Sequence, residues 1–158
     1  MLFGLLGNKN AYKPQWVSFN RTVDTKPYSF KVDTGRHALL EQKEYRNVLV
    51  MSFVSQHPDE QGMPSAEEQT LVATGSKKIL EIVQSLTETF FLGTVVGNRT
   101  LLLYYVCVKP VEDKAFAEVL GTIPLAHTLT WADDSGWSFI KGTIYPTDKE
   151  LQRLTNDT

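Results

Sequence analysis

With 158 residues, 42% of them hydrophobic and 22% charged, the chain is sized for one domain that buries roughly two thirds of its unfolded surface, and its composition excludes a disordered or membrane-embedded polypeptide. A formal net charge of −2 argues against a nucleic-acid binder that depends on phosphate contacts. No apolar run approaches the ~18–20 residues of a membrane span.

Residues 1–14 read as a loosely held arm. Its apolar start, Met1 to Gly7, is too short for a secretory signal and lacks a basic leader and a cleavage site, so a cytoplasmic protein is expected. The Asn-x-Thr matches at Asn20, Asn98 and Asn156 then carry no glycosylation. From Gln15 to Val23 the residues Val17, Phe19 and Val23 alternate as in a strand. Asp24 to Lys26 makes a turn, and Pro27 suits an edge or a first strand position. Tyr28, Phe30 and Val32 alternate with Ser29, Lys31 and Asp33, predicting a half-buried second strand and hence an N-terminal hairpin. Residues 35–46 are polar and mixed, and are expected to cross over to a central strand.

Asn47 to Val54 is a dense run of β-branched and long apolar residues, the length of a buried strand. His57 to Pro64 is polar and turn-rich. Ser65 and Glu68 then have capping-box spacing, with Glu67 and Glu68 in the first turn, where a helix dipole favours negative charge. Leu71, Gly75, Ile79, Ile82 or Val83, Leu86 and Phe90 recur at three- and four-residue steps and mark the buried face of a long helix. Gly75 inside it costs about 1 kcal/mol relative to Ala, which implies close packing against a strand. Lys77, Lys78, Glu81, Gln84 and Glu88 fall on the wet side.

A hairpin follows, Phe91 to Val96 and Thr100 to Val108, turning at Gly97-Asn98. A second amphipathic helix is predicted over 111–122, on Ala115, Phe116, Val119 and Leu120, and then a strand over 128–131. Asp133 to Gly136 is a turn signal. Trp137, Phe139, Lys141, Thr143 and Tyr145 alternate with their neighbours as a last strand, and Pro146 to Asp148 caps a C-terminal helix within 147–158. The whole reads as a single domain, 1–158, with its core over 15–146. The order strand, helix, strand, strand, helix, strand predicts an α+β fold: a two-layer antiparallel sheet with a ferredoxin-like (split βαβ) core, plus the N-terminal hairpin and a C-terminal strand and helix.

Trp16-x-x-Phe19, the strand Ser29 to Gly35, the loop Pro58-Asp-x-x-Gly-Met-Pro-Ser65 leading to Glu68, Trp137-Ser-Phe139 and Ile144-Tyr-Pro146 together resemble a bacterial family known as domain-of-unknown-function family 695. The resemblance runs from Trp16 onward. It implies a domain often followed by one similar to the B-type regulator of ribonuclease E activity, and the C-terminal helix resembles the start of that connection. No activity is established for the family, so the resemblance supplies no catalytic residues.

The candidate ligand loop is His57 to Pro64, with His57, Asp59, Glu60, Gly62 and Ser65. It joins a buried strand to a helix N-terminus, a position suited to an anion, and His57, Asp59 and Glu60 offer acid–base groups. The competing reading is a shaped crossover with solvated acids that would themselves repel an anion. His37, His57 and His127 lack metal-ligand spacing, so no metal is expected. Asp133 and Asp134 read as a solvated turn. No nucleophile elbow, phosphate loop or dinucleotide fingerprint occurs, so no cofactor is expected. Phe91, Tyr104 and Tyr105 lack the basic glycine–aromatic context of RNA-binding sheets. Cys107 is the only cysteine; within an apolar strand it reads as a core residue, in keeping with a reducing compartment.

Residues 101–108 and 48–54 are apolar on both strand faces, so two sheet faces need cover. Either terminal segments of the chain supply the second layer, or a partner does, another protein or a second copy. Leu102, Tyr104 and Val106 are the candidate interface residues. A non-catalytic protein-interaction or regulatory module is therefore expected, possessing neither nucleic-acid nor membrane partners; the alternative is a small-molecule-binding domain or enzyme using the His57–Pro64 loop.

Overall fold

The computed structural model describes residues 13–36, 44–133 and 138–156. The alternating segments form six strands: β1 (Trp16–Val23), β2 (Lys26–Asp33), β3 (Asn47–Val54), β4 (Thr89–Gly97), β5 (Thr100–Cys107) and β6 (His127–Asp133). They make one sheet in the order β1-β2-β4-β5-β3-β6, with every neighbouring pair antiparallel. Four α-helices accompany it among the described residues: α1 (Ala66–Gln84), α2 (Ala117–Leu120, entered through a 3₁₀ turn at Asp113–Phe116), α3 (Ser138–Thr143) and α4 (Asp148–Asn156).

α1 begins where its capping box does. The backbone N–H of Glu68 donates to Ser65 Oγ at 3.2 Å, and the N–H of Ser65 donates to Glu68 Oε1 at 3.1 Å. The helix stops at Gln84, earlier than its apolar spacing suggests. Leu86 is 58% exposed and Phe90 belongs to β4; the apolar period of the helix runs by coincidence into that of the strand. Val72, Ile79 and Val83 are its buried apolar side chains. A Cβ on Gly75 would lie 2.6 Å from Ile123 Cδ1, so the close neighbour is the turn after α2, not a strand. The 111–122 segment shrinks to the 3₁₀ turn and α2, which still bury Phe116, Val119 and Leu120.

The turn between β4 and β5 is Asn98-Arg99, both at positive φ, and Gly97 pairs with Thr100 as the last rung. The predicted Gly97-Asn98 pair is thus displaced by one residue. A bulge between Phe91 and Gly93 turns Phe91 toward α1 while Phe90 and Leu92 face the other way. Gly93 permits it, because a Cβ there would sit 2.3 Å from the carbonyl oxygen of Lys31.

Two cores result. On one face Leu49, Met51, Phe53, Leu101, Leu103, Tyr105 and Cys107 pack with α1 and α2. On the other, Phe19, Phe30, Val32, Val48, Leu92, Tyr104 and Val106 pack with Tyr45, Ile140, Ile144 and Tyr145. The layering is thereby corrected: helical segments flank both faces, and the second cover comes from the chain itself. The expected last strand is also corrected. Residues 138–143 are helical, since Ile140 and Ile144 are spaced one helical turn apart and both are fully buried; Trp137 lies outside the described residues.

Candidate functional site

The His57–Pro64 loop is wired to itself and to the β4–β5 turn. Asp59 accepts hydrogen bonds from the backbone N–H groups of Gln61 (2.8 Å) and Met63 (2.9 Å). Gly62, at φ +88°, accepts from the Arg99 N–H at 2.7 Å, and the Ser55 N–H donates to the Arg99 carbonyl at 2.8 Å. Beneath the loop lies the carboxylate of Glu68, 5% exposed. It accepts from Ser55 Oγ and the Gln56 N–H, both at 2.6 Å, from the His57 N–H at 3.3 Å, and from the Ser65 N–H and Oγ. Burial works to raise its pKa, yet these donors outweigh burial and hold it down at about 2. The anion at this helix N-terminus is thus the chain's own. His57 and Glu60 are exposed side chains on the rim, and Asp59 and Ser65 serve the loop and the cap.

The interface candidates lie in the second core. Tyr104 is 4% and Val106 1% exposed, beneath the segment carrying Ile140 and Ile144. Their apolar side chains pack against intrachain neighbours. Leu102 is half-buried, packs against the same cluster and borders the cavity described next. Tyr105 is fully buried, donates from its hydroxyl to the Ser76 carbonyl at 3.0 Å and packs on Phe91, ring centroids 5.1 Å apart. His127 is exposed on β6, and His37 and Asp134 lie outside the described residues. Asp133 is held by Arg46 at 2.9 and 3.0 Å.

A groove of about 560 Å³ lies between α1 and the sheet. It exists because α1 crosses β4 and β5 and leaves the same face of β1 and β2 uncovered. Trp16, Lys31, Phe91, Thr94 and Val96 contribute from the strands, and Thr70, Ala73, Lys77 and Leu80 from the helix. Trp16 is 44% exposed and lies 6.1 Å from Phe91, centroid to centroid. With the Phe91–Tyr105 contact this makes an aromatic path from the surface into the first core. Lys31 Nζ sits 5.7 Å from the Trp16 ring centroid. Among the described lining residues there is no carboxylate, imidazole or thiol. Sequence reasoning assigned Lys77 and Lys31 to wet faces and gave Trp16 no role beyond the resemblance. The usable signal was a tryptophan and a lysine on the polar side of a hairpin, where no core would bury them.

Among the described residues no group of three or more His, Cys, Asp or Glu side chains is placed to hold a metal ion, and no helix is long and apolar enough to cross a membrane. A family model described as "Family of unknown function (DUF695)" matches residues 14–145, and the chain belongs to that family. No curated protein and no solved structure matches it.

Proposed function

We propose that this family member is a non-catalytic binding module whose ligand is a small molecule seated in the groove between α1 and β1, β2 and β4. The carrying observation is the lining: an aromatic and aliphatic floor, two lysines, and no carboxylate, imidazole or thiol among the described lining residues. A cavity of about 560 Å³ falls in the size range of small-molecule sites, which are mostly apolar with a few placed polar groups. The His57–Pro64 loop supports this reading from outside the site, by fixing the N-terminus of the helix that forms one wall. The spatial order β4-β5-β3-β6, with helical segments after β3 and β5, favours a ferredoxin-like core to which the β1–β2 hairpin adds the other wall.

The test is a thermal-shift screen of a metabolite panel against the wild-type chain and Ala73→Trp, which fills the groove from an exposed position on α1. Ligand-induced stabilisation present in the wild type and lost in Ala73→Trp supports the reading. Shifts that survive Ala73→Trp, or a panel without any shift, count against it.

A second reading has the outer edges of β1 and β6 in its favour, since among the described strands each pairs on one side only. A second copy could add to such an edge. Light scattering that gives a monomer mass up to high concentration would remove it.

A further inference from the structure

We infer that the ligand is a small organic anion, with an apolar ring or branched body on the groove floor and its acidic group held by Lys31 and Lys77. This rests on the groove being the binding site and adds the ligand's chemistry. Lys31 comes from β2 and Lys77 from α1, so the two ammonium groups belong to opposite walls. Neither forms an ion pair with a described carboxylate. The chain as a whole carries a net charge of −2, so a lining whose charged members among the described residues are two lysines is a local reversal of sign. An apolar floor between unpaired cations disfavours a cationic ligand and gives a neutral one nothing for the lysines to do. A carboxylate, sulfonate or phosphate monoester on an apolar body satisfies both parts of the surface. The body has rings to meet: Trp16 and Phe91 stand 6.1 Å apart at 43°, and aromatic contacts of this kind add to simple area burial.

A matched pair of fluorescent probes tests the charge separately from the site. 1-Anilinonaphthalene-8-sulfonate and N-phenyl-1-naphthylamine share the same ring system, and only the first carries an acidic group. The wild-type chain is expected to bind the sulfonate saturably and more tightly than the neutral amine, with an affinity that falls as salt is added. Lys31→Met/Lys77→Met is expected to weaken the sulfonate by roughly five- to ten-fold, the scale of exposed charge pairs, and to leave the neutral probe unchanged. Ala73→Trp is expected to abolish binding of both. Lys31, Lys77 and Ala73 are all exposed, and circular dichroism melting checks that each variant stays folded. If the two probes bind alike and the lysine variant is indifferent while Ala73→Trp blocks both, the groove stands and the anion inference falls. If Ala73→Trp blocks neither probe, or neither binds saturably, the groove itself is refuted as the site.

Discussion

The guanidinium of Arg21 closes on the carboxylate of Glu150, with Nε 3.0 Å from Oε2 and Nη2 2.8 Å from Oε1. The same guanidinium donates to the carbonyls of Thr143 and Tyr145 and lies 4.6 Å from the Phe30 ring centroid. One side chain of β1 therefore ties α3, α4 and the segment between them to the second sheet face. The pair is largely shielded, with side-chain exposures of 24% and 13%. Glu150 in turn caps its own helix, accepting from the Thr147 N–H at 2.8 Å.

Arg21→Met is expected to cost about 2 kcal/mol, because it removes the charge-assisted pair with Glu150 and the hydrogen bonds from Arg21 to two carbonyls. Urea unfolding measures it. Glu150→Gln and the double variant complete a cycle, in which the double should lose clearly less than the sum of the singles. Strict additivity would mean the two side chains do not act together.

Acid stability is expected to follow Glu68. Its folded pKa, about 2, lies below the ordinary 4.5, so the unfolded chain takes up the proton first. The stabilisation is complete above about 4.5 and is lost as pH falls toward about 2. Glu68→Gln should lower stability at neutral pH, on the order of 2 kcal/mol, and flatten the decline across that acid window. Glu150, held low chiefly by the hydrogen bond from Arg21, contributes to the same limb, so the variant should retain a residual slope. Thermal melts at stepped pH read both; an unchanged profile in Glu68→Gln would contradict the assignment.

The β1–β2 turn is strained by its own sequence. Asp24 and Thr25 stand at φ +51° and +67°, a conformation costly for a β-branched residue. Thr25→Gly produces the Asp-Gly pair that two-residue hairpins prefer, and is expected to stabilise the chain by about 0.5–1 kcal/mol after the entropy of glycine is deducted. A lower melting temperature would show that Thr25 contributes something other than turn geometry.

Cys107 is fully buried, and its thiol is pushed up to about 11, by burial first, against a smaller opposing hydrogen bond with Thr89. At pH 8 the native protein should react with a thiol-specific disulfide reagent only as fast as it opens, and release one equivalent at once in strong urea. Rapid native labelling would place the thiol at the surface.

Much of this architecture was legible in the residues. The capping box fixed the start of α1 to the residue, and the alternation of β3 and β5 gave their faces correctly; on the hairpin it misjudged Val23, which is 43% exposed, and Asp33, which is buried. The double apolar character of β3 and β5 correctly demanded two covers. Sequence left the source of the second cover open, because Ile140 and Ile144 fit a strand and a helix equally well over so short a segment. Arg21 was the unread clue: a cation among Val17, Phe19 and Val23, on the side of the strand that should be apolar, announces a buried partner elsewhere. The groove was illegible for another reason. Trp16, Lys31, Lys77 and Phe91 meet only once the strand order puts β2 beside β4 and the bulge turns Phe91 toward α1, and neither follows from local pattern.

The hold of Arg21 on Glu150 spans 129 positions along the chain, and α3 and α4 follow every described strand. During synthesis the sheet can therefore assemble with its first face sealed while Tyr104, Val106 and Leu92 still face water. Until Ile140 and Ile144 emerge from the ribosome, that greasy surface is a target for holdases and for neighbouring nascent chains. Pauses that hold back residues 138–156 after the strands have emerged should bear on the yield of soluble protein more heavily than pauses within the strands do.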